Sequence, residues 1–91
     1  MEQRLREGKT VADELDLHGM TVDESMPLLD QFLYHSYQAG LQRVWIVHGK
    51  GTGILRQAVR RYLSTHPLVK EHVIADRYHG DSGATQVDLE N

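Results

Sequence analysis

The 91 residues include no cysteine. A disulfide framework and a metal site built on thiolates are both excluded. No apolar stretch approaches the ~20 residues that cross a bilayer. The charged start MEQRLREGK lacks the apolar region of a signal peptide. The expectation is a cytoplasmic protein with no membrane partner. There is no internal repeat and no low-complexity segment, and the length suits one domain that buries about 60–65% of its unfolded surface. The most informative absence is of acid: residues 31–70 contain no Asp or Glu at all.

The formal net charge of −3 therefore hides three unequal parts. Residues 1–30 hold eight acids and three bases, and residues 71–91 hold five acids and one base. Between them stand Arg43, Lys50, Arg56, Arg60, Arg61 and Lys70, with His35, His48 and His66 alongside. A phosphate ligand responds to local potential more than to the total. Charge alone favours a solvated helix face over a ligand-binding one.

Residues 1–13 are polar and without sustained periodicity, and they read as a linker or flexible N-terminal segment ahead of a domain at 14–91. ELDLH (14–18) alternates like a short strand and is broken by Gly19. Thr21 and Glu24 have the spacing of a capping box, at the N-cap and N3 of a helix. Val22, Met26, Leu29, Leu33 and Tyr37 continue as one helical stripe, with Gly40 as its stop. Pro27 falls beyond the first turn, where a local kink or tightening is expected. RVWIVH (43–48) is a near-continuous apolar run suited to a central strand. Ile54, Leu55, Ala58, Val59, Tyr62 and Leu63 form a second helical stripe. EHVIADRY (71–78) and ATQVDL (84–89) then read as two further strands around the polar loop HGDSG. The order is β-α-β-α-β-β, a mixed four-stranded sheet with both helices on one face.

Parallel strands joined by a crossover helix end on the same sheet edge, where open α/β sheets bind ligands. That places Asp16 and His18 near His48. The loop HGKGTG (48–53) leads straight into the second helix, whose amino end offers unpaired N–H groups and partial positive charge. Gly49, Gly51 and Gly53 open the backbone, Lys50 adds a full charge, and Thr52 adds a hydroxyl. The spacing is neither that of a Walker A loop nor that of a dinucleotide fingerprint. Phosphodiester cleavage suits an acid, two histidines, a lysine and a helix start on one edge. A histidine can take a proton from the nucleophile, and an aspartate can orient it, act as base or hold a divalent cation such as Mg2+ or Mn2+. Lys50 and the loop amides can stabilise charge on phosphorus.

LDLHG (15–19) and HGKGTGILR (48–56), in this order and at this separation, closely resemble the Smr (small MutS-related) domain. The resemblance extends through HPLV (66–69) and GDSGATQVDL (80–89), and so covers about residues 13–90. Within that family the chain is most similar to the C-terminal domain of the bacterial MutS-like anti-recombination ATPases. The resemblance implies a two-layer α/β sandwich like the C-terminal domain of a bacterial translation initiation factor. It also implies nicking endonuclease activity on DNA, with ribonuclease activity in some relatives, and roles in recombination suppression, DNA repair or ribosome rescue. On that basis Asp16 and His18 are expected to be catalytic, His48 and Lys50 to bind substrate or share in catalysis, and Arg56 to face the same edge. The glycine-rich loop before the last strand, often denser in the family, here contains Asp81 and Ser82.

Three functions are compatible with these residues. The first is a nuclease centred on Asp16, His18 and His48, with Gly49 to Gly53, Arg56 and Arg60 on the phosphate. The second is a non-catalytic nucleic-acid- or ribosome-binding module using Arg43, Lys50, Arg56, Arg60 and Arg61. The third is a small phosphate binder using the loop alone. Tyr78 is the aromatic best suited to stack on an unpaired base. His79 lies in the loop that can approach the site, whereas His35, His66 and His72 carry no expected role.

Overall fold

The alternating ELD and the apolar run RVWIV form adjacent parallel strands at the centre of a two-layer α/β sandwich. The computed structural model describes residues 9–11 and 13–91. Its elements are β1 (Lys9–Val11), β2 (Glu14–Asp16), α1 (Val22–Gln38), β3 (Arg43–Val47), α2 (Ile54–Ser64), β4 (Val69–Ile74) and β5 (Ala84–Leu89). Two short 3-10 turns, Arg77–His79 and Asp81–Gly83, link β4 to β5. The strands lie in the order β1-β2-β3-β5-β4. Only β2 and β3 run parallel, and every other pair is antiparallel. The four expected strands and two helices are all present. The sheet gains a fifth strand from the segment read as a linker, because Lys9–Val11 pairs with β2 in a tight antiparallel hairpin. Residues 1–8 and 12 lie outside the described residues. Among those described, no helix is long and apolar enough to cross a membrane.

Both helices cover one sheet face. Leu15, Leu17, Val44, Ile46, Val87 and Leu89 from the sheet meet Leu29, Phe32 and Leu33 of α1 and Val59 and Leu63 of α2 in a single apolar cluster. Each such side chain, once buried, contributes roughly 1.5–3 kcal/mol of transfer free energy before entropy is counted. The capping box forms as expected, with Glu24 N–H donating to Thr21 Oγ1 at 3.1 Å and Thr21 N–H to the Glu24 carboxylate at 3.0 Å. The helix runs unbroken through the exposed Pro27. It ends in a Schellman turn, where Gly40 N–H donates to the Tyr37 carbonyl and Leu41 N–H to that of Ser36. Gly40 adopts φ 81°, which glycine takes without strain.

Some boundaries differ from the sequence expectation. The inward stripe of α1 is Ser25, Leu29, Phe32, Leu33 and Ser36, and Tyr37 faces solvent. Ser25 and Ser36 are part of the buried stripe, polar positions that apolar periodicity does not register. The strand expected at 71–78 occupies Val69–Ile74 instead, because the Asp76 carboxylate accepts the Tyr78 N–H and turns the chain. Ile54, expected on the inner stripe of α2, is 66% exposed at its first position.

An exposed carboxylate ties the helices together at one end. Asp30 of α1 accepts the Tyr62 hydroxyl at 2.5 Å and the His66 Nε2–H at 3.0 Å. These hydrogen bonds hold the Asp30 carboxyl below its ordinary range, Tyr62 contributing most. Burial, reinforced by Asp30, pushes the Tyr62 phenol up to about 12. His66 is buried and its Nδ1 accepts the Leu68 N–H, so it fixes the connection between α2 and β4.

Candidate active site

The parallel register of β2 and β3 brings the two motif loops together. Asp16 pairs with Val47, and Leu17 N–H donates to the Val47 carbonyl at 2.7 Å. His18 therefore follows directly beside His48 and Gly49. The contact is close enough that a Cβ placed on Gly49 would sit 3.3 Å from the His18 Cβ, and Gly49 also holds φ 81°.

Asp16 and His18 form one unit. His18 Nδ1–H donates to Asp16 Oδ1 at 2.7 Å, and the His18 backbone N–H donates to the same oxygen at 3.0 Å. An ionised carboxylate only accepts, so Nδ1 carries a proton, and in the neutral ring the lone pair is on Nε2. The His18 side chain is 68% exposed while that of Asp16 is 26% exposed. The pair thus presents a fixed imidazole with its basic nitrogen toward solvent. This is the arrangement a general base requires.

His48 is placed quite differently. It is 5% exposed and both ring nitrogens are engaged within the protein. Nδ1–H donates to the Gly49 carbonyl at 3.0 Å, which leaves Nε2 to accept the Thr85 hydroxyl at 2.9 Å. Burial is the main cause that moves its pKa down; Arg56 and Arg60 push the same way and the Gly49 hydrogen bond opposes them. The ring is a neutral strut between the glycine-rich loop and β5. The Gly83 carbonyl completes the joint by accepting the N–H groups of His48 and Gly49 at 3.0 and 2.9 Å. Thr85 and Gly83 were not singled out from the sequence, since only the β3–β5 register brings them here.

That strut gives a pH dependence. Unfolded His48 titrates near 6.5, and the folded group titrates lower. Below 6.5 the unfolded chain therefore binds more protons, so stability falls as pH drops through the window between the two values and is complete above it. His72, also lowered mainly by burial, adds the same sign. Calorimetric Tm is expected to fall from about pH 8 to about pH 5, and the fall to be shallower in His48→Gln.

A cavity of 380 Å3 opens beside Gly49, lined by Gly19 to Val22 on one side and His48 to Arg56 on the other. Gly53 is the N-cap of α2 in the left-handed region at φ 88° and carries no capping side chain. Thr52 Oγ1 reaches the Ile54 N–H only at a long 3.4 Å. The start of α1 is closed by its capping box, whereas the start of α2 is open toward this cavity and keeps its anion-attracting N–H groups and dipole end. Arg56 folds back over Gly53, where a Cβ would meet its guanidinium at 2.9 Å. The Lys50 stem lies against Gly83 with its exposed end free to reach an anion. Arg60 lies near enough to repel a charged His48. Arg43, grouped with these cations by sequence, belongs elsewhere. It begins β3, about 13 Å along the strand from Val47, and pairs with Asp88 at 2.7 Å.

Among the described residues, no three His, Asp or Glu side chains converge as a metal cage. Asp16 Oδ1 is already shared by the ring and backbone N–H groups of His18.

The sequence matches the Smr domain family over residues 15–90. It is 44% identical to the endonuclease MutS2 of Caldicellulosiruptor saccharolyticus over 86 residues, 94% of this chain and 11% of that protein. Identity to the endonuclease MutS2 of Thermomicrobium roseum is 46% over 80 residues, 88% of this chain and 10% of that protein. The chain thus spans about a tenth of the length of these curated relatives. Its fold superposes on the Smr domain of Thermus thermophilus MutS2 with TM-score 0.83 and 39% identity, covering 87% of this chain and 99% of that one. It also superposes on YdaL, a stand-alone small MutS-related protein from Escherichia coli, with TM-score 0.85 and 33% identity, covering 97% and 72% respectively. Both motif loops and both helices fall inside the matched span, and the chain belongs to the Smr domain family.

Proposed function

We propose that this domain binds nucleic acid and cleaves its phosphodiester bonds, with the Asp16–His18 pair as the acid–base centre and the glycine-rich loop as the phosphate cradle. The observation that favours this most is the 2.7 Å hydrogen bond between Asp16 and His18, which leaves Nε2 free. Gly19, next in the chain, and Gly49, packed beside His18, both line the cavity at the open start of α2. In RNA, Nε2 takes the proton from the 2′-hydroxyl as its oxygen attacks phosphorus. The bond to the 5′-oxygen breaks, leaving a 2′,3′-cyclic phosphate and a 5′-hydroxyl that takes its proton from water or from the protonated ring. In DNA, where the 2′-hydroxyl is missing, Nε2 activates water, alone or with a cation held by Asp16. Lys50, Arg56 and the amides at the start of α2 stabilise the charge that grows on the phosphate oxygens. His48, expected from sequence to be catalytic, acts instead as a positioning residue that fixes Gly49 and the loop. Relatives are named endonucleases, which supports the same reaction class. Action in recombination suppression, repair or ribosome rescue, and linkage to a MutS-like ATPase in a longer protein, follow if this chain works as its MutS2 relatives' C-terminal parts do.

The test is incubation with matched single-stranded and duplex RNA and DNA, with and without EDTA. RNA cleavage that persists in EDTA is the outcome expected for 2′-hydroxyl chemistry run by the pair alone. DNA cleavage abolished by EDTA assigns Asp16 to a cation and makes water the nucleophile. Salt-sensitive binding with no cleavage of any substrate contradicts the enzymatic proposal and leaves a binding module.

A further inference from the structure

The loop joining β4 to β5 crosses the sheet face that the helices leave open. Trp45 projects from that face, because it pairs with Glu14 and so shares the parity of Asp16 two residues on. His79 stacks flat on Trp45, with ring centroids 4.1 Å apart and planes within 6°. Asp76 fixes the turn around them. Its carboxylate accepts His79 Nδ1–H at 2.8 Å and Tyr78 N–H at 3.0 Å, and its carbonyl accepts the N–H groups of His79 and Asp81 at 3.0 and 2.9 Å. Four hydrogen bonds and a ring stack thus hold a turn whose apex, Tyr78, is 85% exposed. The backbone of Tyr78 is fixed in place while its ring stands in water, so covering the ring costs only side-chain entropy.

The same loop ends at Gly83, whose carbonyl is bolted to the N–H groups of His48 and Gly49 and whose backbone lies under Lys50. Trp45 stands about 8 Å from Asp16 by strand spacing. An aromatic platform, a phosphate cradle and an acid–histidine pair therefore share one rigid edge of the molecule. We infer that Tyr78 stacks on an unpaired base while the phosphate of the same strand lies at the Lys50 loop, so that the substrate class is single-stranded nucleic acid. In a duplex both faces of each base are covered, and none is left for Tyr78. The cations Lys50, Arg56 and Arg60 supply the charge complementarity for the backbone, and stacking supplies the selection for unpaired bases. The inference rests on the nucleic-acid function proposed above.

Its test is titration of a short aminopurine-labelled oligodeoxythymidylate, and of a hairpin duplex of equal length, with the full chain in EDTA. Stacking quenches aminopurine fluorescence. Tyr78→Ala is expected to weaken single-strand binding about 5- to 150-fold, remove the quenching, and change duplex binding by less than about twofold. Tyr78→Phe is expected to keep both affinity and quenching. The residue's exposure means that neither variant should alter Tm, which is checked alongside. Unchanged single-strand affinity and quenching in Tyr78→Ala overturn the inference, and salt-sensitive binding in the same titration then leaves the nucleic-acid function standing. Failure of the wild-type chain to bind either oligonucleotide removes both.

Discussion

His18→Ala is expected to slow single-turnover cleavage by about a hundred- to ten-thousand-fold, the contribution typical of a positioned general base. The Cβ that packs against Gly49 is retained in this variant, so the loop should keep its place. The side chain is largely exposed, and stability should change by less than about 0.5 kcal/mol. Substrate affinity is expected to hold, because phosphate contacts come from the neighbouring cradle. The check pairs a gel assay of cleavage with a binding titration on the same preparation. A loss of binding equal to the loss of rate would move His18 from the chemistry to the cradle.

Removing Lys50 and Arg56 together is expected to act on the other half of the site. Each neutralised phosphate contributes about 0.7–0.9 to the slope of log affinity against log salt, or about fivefold in affinity at physiological salt. The double variant Lys50→Ala, Arg56→Ala should therefore lower the slope by about 1.4–1.8. Arg43→Ala is the internal control. Its guanidinium is committed to Asp88 at the far end of β3, so the slope should not move. A slope change in Arg43→Ala as large as in Lys50→Ala would mean that binding spreads over the whole basic segment and is not focused at the loop.

These two groups were legible in the sequence to different degrees. The capping box, the Schellman glycine and the alternation in ELD are encoded within a few residues, and they form as the local rules require. The meeting of Asp16 and His18 with the HGKGTG loop follows from parallel β-α-β topology, which patterning alone supplies. What patterning does not carry is the state of each side chain once there. His18 and His48 look alike in sequence, each ending a strand before a glycine. Only the antiparallel β3–β5 register, which sets Thr85 and Gly83 around His48, separates the free base from the buried strut. The pairing of Arg43 with Asp88 has the same origin, being a cross-strand contact between residues 45 positions apart. Lys9–Val11 lacks the apolar alternation of a strand and is strand only because β2 offers it a hairpin partner. His66 likewise acquires its place from Asp30 on α1.

The most direct test of the central claim is single-turnover cleavage by Asp16→Asn measured beside its affinity for the same substrate. Asparagine preserves the shape and an oxygen that can accept from His18, but it removes the charge that fixes the imidazole tautomer and steadies its protonated form. An account in which the pair does the chemistry predicts near-complete loss of cleavage with affinity unchanged or tightened, since a negative charge beside the phosphate is gone. Cleavage at the wild-type rate would contradict it.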